Sequence, residues 1–228
     1  MRNYVTEFVG TFFLVLTIGL TVLNGTPLAP LAIGSSLMIM VYMGGHVSGG
    51  HYNPAVSLAV FLRGKMASGG ELVRYWLAQI AGALVAALAV RVIMGQTFAP
   101  APADGTSASP ALLVEFLYTF ALALVVLNAA ASAKTHGNSF YGLAIGFTVV
   151  VAAFAGGPIS GGAFNPAVGI GPIAVHATAG GGTWAFLWIY LVGPLLGGVA
   201  AAAVFGLQER EELQLHAEPS QHPESRPA

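Results

Sequence analysis

Of the 228 residues, 56% are hydrophobic and only 7% are charged, and the mean hydropathy is +0.76. Soluble domains carry about 25% charged residues, so this chain cannot clothe a water-facing surface and reads as a polytopic membrane protein. A net charge of −1 leaves no electrostatic footprint for nucleic acid, and the absence of cysteine removes disulfides, thiol chemistry and thiolate-held metals.

The chain opens on an apolar stretch at 4–23, preceded by Arg2 alone. Glu7 lies inside it and no small-x-small cleavage signature follows closely, so it reads as a retained span and not as a secretion signal. Further apolar segments follow at 31–48, 71–93, 111–130, 138–156 and 184–206. Each is near the ~20 residues that a helix needs to cross a bilayer. Two shorter stretches, 54–62 and 166–175, come after Asn-Pro-Ala triplets. At ~1.5 Å per residue they cover about half of a hydrocarbon core, so each must dip in and return. Irregular backbone at that depth is tolerated only where it is buried in protein or faces a watery cavity.

The connections support one membrane domain over 1–207, with halves at about 1–94 and 111–207 joined by a Pro- and Ala-rich loop at 95–110. Residues 132–139 form a shorter polar link. The charged, Pro-containing segment 208–228 reads as a disordered, solvated tail. An even number of spans puts both termini on one side. Arg2, Arg63, Lys65, Arg74, Lys134 and Arg210 share that side, and Arg91 falls on the other. The positive-inside rule therefore places both termini in the cytoplasm, in a plasma or inner membrane.

The halves repeat each other. "EFVGTFFLVL" at 7–16 matches "EFLYTFALAL" at 115–124, and "HVSGGHYNPAV" at 46–56 matches "GPISGGAFNPAV" at 157–168. With three spans plus one half-helix apiece, the second half must enter the membrane from the opposite face, which is an inverted repeat with its site near the midplane. Asn is a good N-cap and Pro suits the first helical position. Asn53-Pro54-Ala55 and Asn165-Pro166-Ala167 thus start two half-helices whose N-termini meet in mid-membrane. Each end carries about +0.5 charge, a barrier to cations and to protons, and each Asn amide can donate to a passing water or hydroxyl.

These motifs resemble the major intrinsic protein family, the aquaporins and aquaglyceroporins, over about residues 4–206. The resemblance implies an all-α fold of six tilted spans and two re-entrant half-helices, a pore within each subunit, and a homotetramer. The implied function is a passive channel for small neutral permeants, with no enzyme activity, no cofactor and the lipid bilayer as partner. In this family four positions line a constriction beyond the triplets, and counting from the triplets places them at Ile33, Ala153, Gly162 and Val168. Strict water channels typically carry Phe, His, a small residue and Arg there. The set here is aliphatic, without the fork of donors that an Arg supplies, which implies a wider and greasier throat. Backbone carbonyls of "GGPISGG" replace some of the lost partners. Water, ammonia, urea, glycerol, hydrogen peroxide and dissolved gases are the candidate permeants. Val168-Gly169 also departs from the Arg-Asp pair typical of glycerol facilitators.

Glu7 and Glu115 are acids within spans, a functional flag by default. Their matched placement favours a structural role, each accepting bonds from its own half-loop, over proton relays in a coupled carrier. A non-conducting structural member is the other rival. His51 falls in the cytoplasmic vestibule, and His46 nearby is either a gate or a packing residue. His136 and His176 read as loop residues, and no ligand-spaced partners suggest a metal. Gly82, Ala83, Gly193, Gly197 and Gly198 permit close helix packing.

Overall fold

The computed structural model describes residues 1–217. The first half comprises α1 (Arg2–Leu23), α2 (Ala29–Ser48), the half-helix α3 (Pro54–Leu62) and α4 (Gly69–Met94). The second repeats the order with α5 (Ala108–Val126), α6 (Tyr141–Ser160), the half-helix α7 (Pro166–Thr178) and α8 (Leu187–Ala217). Six of the helical segments are long and apolar enough to cross a membrane. Side chains such as Val92 and Leu77, 84% and 63% exposed, face outward, where lipid takes the place of water.

Local chemistry sets the ends of these helices. Gly49 and Gly161 close α2 and α6 in the left-handed region, φ 91° and 86°, and each donates its N–H back to a helix carbonyl, Gly45 O and Gly157 O. A β-carbon would disfavour that conformation. The chain is thereby turned abruptly into the half-loops that precede α3 and α7.

Some boundaries differ from those read in the sequence. α7 continues to Thr178, so His176 sits in its last turn and not in a loop. A histidine there meets the negative end of the helix dipole, and the helix stops only before Gly180-Gly181-Gly182. α5 passes into a π-helical turn at Leu127–Ala131. α8 runs through Gln208 and Glu209 to Ala217, because Gln, Glu and Leu sustain a helix as readily as apolar residues do. The expected tail at 208–228 therefore begins as helix, and 218–228 lies outside the described residues. Glu209 pairs with Arg63, 2.8 Å away, tying α8 to the end of α3.

Helix approach is set by glycine. A β-carbon on Gly82 would stand 2.4 Å from Phe8 O, and one on Gly197 would stand 2.6 Å from Phe116 O. The equivalent pairs α1–α4 and α5–α8 therefore pack backbone to backbone, as small residues allow within membranes. Gly198 meets Ala55 O in the same way, at 2.5 Å. Because these neighbours are backbone atoms, no side chain can swing away. Gly82→Val and Gly197→Val should each lower the thermal midpoint in detergent by the equivalent of about 1–3 kcal/mol or more of overpacking. Gly157→Ala, with open space at its β-carbon, should leave that midpoint unchanged.

Candidate functional site

Each half-helix starts with a side-chain cap. Asn53, in extended conformation, accepts the Ala55 N–H through Oδ1 at 2.9 Å, and Asn165 accepts that of Ala167 at 2.9 Å. Pro54 and Pro166 fill the first helical position, where a missing N–H costs nothing. The two amides then cross between halves. Asn53 Nδ2 donates to Phe164 O at 2.9 Å, and Asn165 Nδ2 donates to Tyr52 O at 2.8 Å. The N-termini of α3 and α7 are thus stitched head to head.

Tyr52 and Phe164 occupy the left-handed region, both with φ 49°, without being glycine. That conformation costs on the order of 1–3 kcal/mol and persists only where neighbours over-determine it. The buried carboxylates supply that constraint. Glu7 accepts from Ser48 Oγ (2.6 Å), His51 N (3.0 Å) and Tyr52 N (2.7 Å). Glu115 accepts from Ser160 Oγ (2.8 Å), Ala163 N (2.9 Å) and Phe164 N (2.6 Å). Tyr75 and Tyr190 donate to Ser48 O and Ser160 O at 2.8 and 2.6 Å. With their N–H groups turned inward to carboxylate or serine, the half-loops leave carbonyls over. Those of Gly49, Gly50 and His51, and of Gly161, Gly162 and Ala163, have no hydrogen-bond donor among the described residues. Within "GGPISGG" four carbonyls are already taken: Gly156 O by Ser160 Oγ, Gly157 O by Gly161 N, Ile159 O by Ala103 N of the 95–107 loop, and Ser160 O by Tyr190.

One narrow cavity of ≈ 40 Å³ borders the inner ends of both half-loops, at His51 and at Gly162 and Ala163. One water needs roughly 10–15 Å³ of such space, so it suits a short file of molecules. Asn53, Asn165 and His51 line it together with Ile33, Ala153, Gly162 and Val168. Leu14, Ile18, Leu37, Val56, Leu122, Val126, Ile145 and Val149 complete an aliphatic wall. Among the described residues no Asp, Glu, Lys or Arg lines it. His51 also borders a wider cavity of ≈ 370 Å³ containing Asn3, Lys65, Glu71 and Tyr75. His46 and His136 border a third, of ≈ 310 Å³, together with Ala129 and Ala130 of the π-helical turn. His176 Nδ1 lies 2.8 Å from Thr97 Oγ1, far along α7 from its capped end.

Sequence reasoning did not single out Ser48, Ser160, Tyr75, Tyr190, Ser57 or Gln79. The serines were visible as the repeated Ser of "SGG". The tyrosines stand 115 positions apart, close to the spacing of the repeat, but nothing in the sequence says that their hydroxyls reach the half-loops.

The arrangement points to a class, an integral membrane channel whose cavity sets a few polar groups against an apolar wall. The family profile described as major intrinsic protein matches residues 1–205, and the chain belongs to that family. It is similar to glycerol uptake facilitator protein-like 6 of Lactiplantibacillus plantarum, 37% identical over 216 residues, 89% of this chain and 95% of that one. Nodulin-26 of Glycine max is 34% identical over 218 residues, 91% of this chain and 78% of that one. In fold it resembles the aquaglyceroporin of Plasmodium falciparum, with a TM-score of 0.83 at 22% identity over 94% and 98% of the two chains.

Removing a carboxylate tests the anchoring. Glu115→Ala strands three buried donors at about 1–3 kcal/mol each, and should prevent recovery of a monodisperse protein. Glu115→Gln keeps one acceptor oxygen and should fold with a lower midpoint, read by thermal melting in detergent.

Proposed function

We propose that this channel passes water and small uncharged solutes passively, in single file, through the cavity between α3 and α7. The observation that carries this reading is that both capping amides and all four counted filter positions border one narrow cavity. Asn53 and Asn165 each keep one amide hydrogen beyond the cross-link, and these hydrogens serve as donors at the midpoint. The unpaired half-loop carbonyls serve as acceptors on either side. A permeant strung between them exchanges its water bonds for protein bonds, while the aliphatic wall takes its carbon side. Ions cannot do so: the cavity offers no counter-charge, and the two helix N-termini present like partial charges of about +0.5 each to any cation.

Ile33, Ala153, Gly162 and Val168 act as the filter. With aliphatic side chains and one glycine, it discriminates by size and by how many hydrogen bonds a solute must surrender. The room left by the absent guanidinium and imidazole favours larger or less polar neutral solutes, with ammonia, urea, glycerol and hydrogen peroxide as the candidates, over strict water selectivity. Glycerol is supported further by the bacterial relative, a glycerol uptake facilitator by name. His51 stands at the vestibule, and Glu7 and Glu115 are structural. Neither acid borders the cavity, and each is saturated by donors, which disfavours proton relay and coupled transport. We assign the cytoplasmic side to the termini from the Lys and Arg distribution, place the protein in the plasma or inner membrane, and infer the homotetramer usual in the family. Residues 1–207 form the channel domain, in halves 1–94 and 111–207.

The test is stopped-flow light scattering of proteoliposomes under glycerol, urea and sucrose gradients. Wild type should re-swell in glycerol or urea at least several-fold faster than empty liposomes. Val168→Arg should suppress that entry about tenfold or more while water flux falls less, since an Arg fills the throat and restores a donor. Rapid water flux without solute entry in wild type would refute the solute reading. Absence of all flux would support a non-conducting role.

A further inference from the structure

The two halves share the carboxylate, serine, tyrosine and asparagine bonds that hold the half-loops, but one side-chain network belongs to the first half alone. In the first half Gln79 Nε2 donates to Glu7 Oε2 at 2.8 Å and to Ser57 Oγ at 2.9 Å, and Ser57 Oγ lies 3.1 Å from His51 Nδ1. The equivalents in the second half are Pro194 for Gln79, Gly169 for Ser57 and Ala163 for His51. Glu115 secures its half-loop with no side-chain amide. The Gln79–Ser57–His51 chain is therefore not a requirement of the half-loop fold.

The chain has a direction. Gln79 must turn its N–H₂ toward Glu7, because its oxygen would repel a carboxylate, and this leaves Gln79 Oε1 buried without a partner. Its second N–H then occupies a lone pair of Ser57. The Ser57 hydroxyl hydrogen has one acceptor within reach, His51 Nδ1. That bond makes Nδ1 the bare nitrogen of a neutral imidazole and leaves the proton on Nε2. Nε2 has no partner among the described residues. It faces Gly49, 2.9 Å from where a β-carbon there would stand, and His51 borders both the narrow cavity and the wide vestibule.

We propose that Gln79 and Ser57 are positioning residues that fix the His51 tautomer, so that Nε2–H is the donor through which permeants pass between the cytoplasmic vestibule and the apolar cavity. The free carbonyls of Gly49, Gly50 and His51 at this mouth accept hydrogen bonds only. A permeant leaving bulk water there needs a donor for its own lone pairs, and the Asn amides lie deeper. The Nδ1–H tautomer would present a bare nitrogen, a further acceptor, to the same permeant. The second mouth has no such side chain, so the donor serves one entrance only. The proposal rests on the channel reading for its functional half and not for its tautomer half.

The tautomer is read by ¹⁵N solid-state NMR of histidine-labelled full-length channel in bilayers at neutral pH, with the His51 signals assigned by their loss in His51→Gln. Wild type should show His51 protonated at Nε2. Gln79→Leu and, separately, Ser57→Ala should each bring in the Nδ1–H form, because Ser57 then accepts from Nδ1 or is gone. A wild-type Nδ1–H signal, or no change in either variant, overturns the proposal. The two substitutions guard against misfolding, since Ser57→Ala leaves the Gln79–Glu7 bond intact.

Permeation separates positioning from packing. Gln79→Leu should slow glycerol or water flux about two- to tenfold, the worth of one net hydrogen bond. In a His51→Gln background, where a glutamine amide supplies the donor without any tautomer, Gln79→Leu should have no further effect. An equal loss in both backgrounds would make Gln79 structural and overturn the functional half. If wild type conducts nothing, the channel reading and the functional half fail together, and the NMR result alone judges the tautomer.

Discussion

The pore depends on two carboxylates buried where carboxylates are costly. A half-helix that ends in mid-membrane exposes backbone N–H groups to a medium with no water to satisfy them. Glu7 and Glu115 take up those of the preceding half-loop, together with the hydroxyls of Ser48 and Ser160. Once the N–H groups point inward, each peptide plane turns the carbonyl of the preceding residue the other way. The unpaired carbonyls of the half-loops are the other face of the anchoring. The charge buried in the protein wall and the absence of charge in the cavity are parts of a single arrangement.

The crossed Asn–carbonyl bonds complete it. Each asparagine holds the start of its own half-helix with its oxygen and the opposite half with its nitrogen. The strained backbone at Tyr52 and Phe164 is what delivers their carbonyls to those nitrogens. Two identical partial charges are thereby fixed face to face, an arrangement that repels a cation and costs a neutral solute nothing. Stability and ion exclusion are coupled through the same atoms, so a change at Asn53 or Asn165 disturbs both.

Symmetry explains the fold and its breach localises specialisation. Gly82 and Gly197, and Tyr75 and Tyr190, have equivalent partners in each half, and Glu7 and Glu115 share the serine and the two half-loop N–H groups. His51, Ser57 and Gln79 have no such counterparts, and they lie together at the mouth toward the shared vestibule. On the other face Ile33, Ala153, Gly162 and Val168 border the cavity without a side-chain donor among them. The channel is polar at one entrance and aliphatic at the other.

The sequence by itself determined the number of spans, the half-helices and their caps. Those features follow from local chemistry, namely apolar length, Asn before Pro, and a repeat whose odd span count forces inversion. The positions Ile33, Ala153, Gly162 and Val168 followed from the family resemblance, counted without gaps from the triplets, and all four border the cavity. Helix ends were less legible: α7 and α8 run on through His176 and through Gln208, where polar residues still favour helix. The Gln79–Ser57–His51 chain was not legible at all. Gln79 stands 22 residues from Ser57 and 72 from Glu7, with no periodicity to mark it. Only the packing of α4 against α1 and α3 brings its amide to both. Local patterns fix what a segment becomes, and tertiary contact decides which buried polar atoms must satisfy one another.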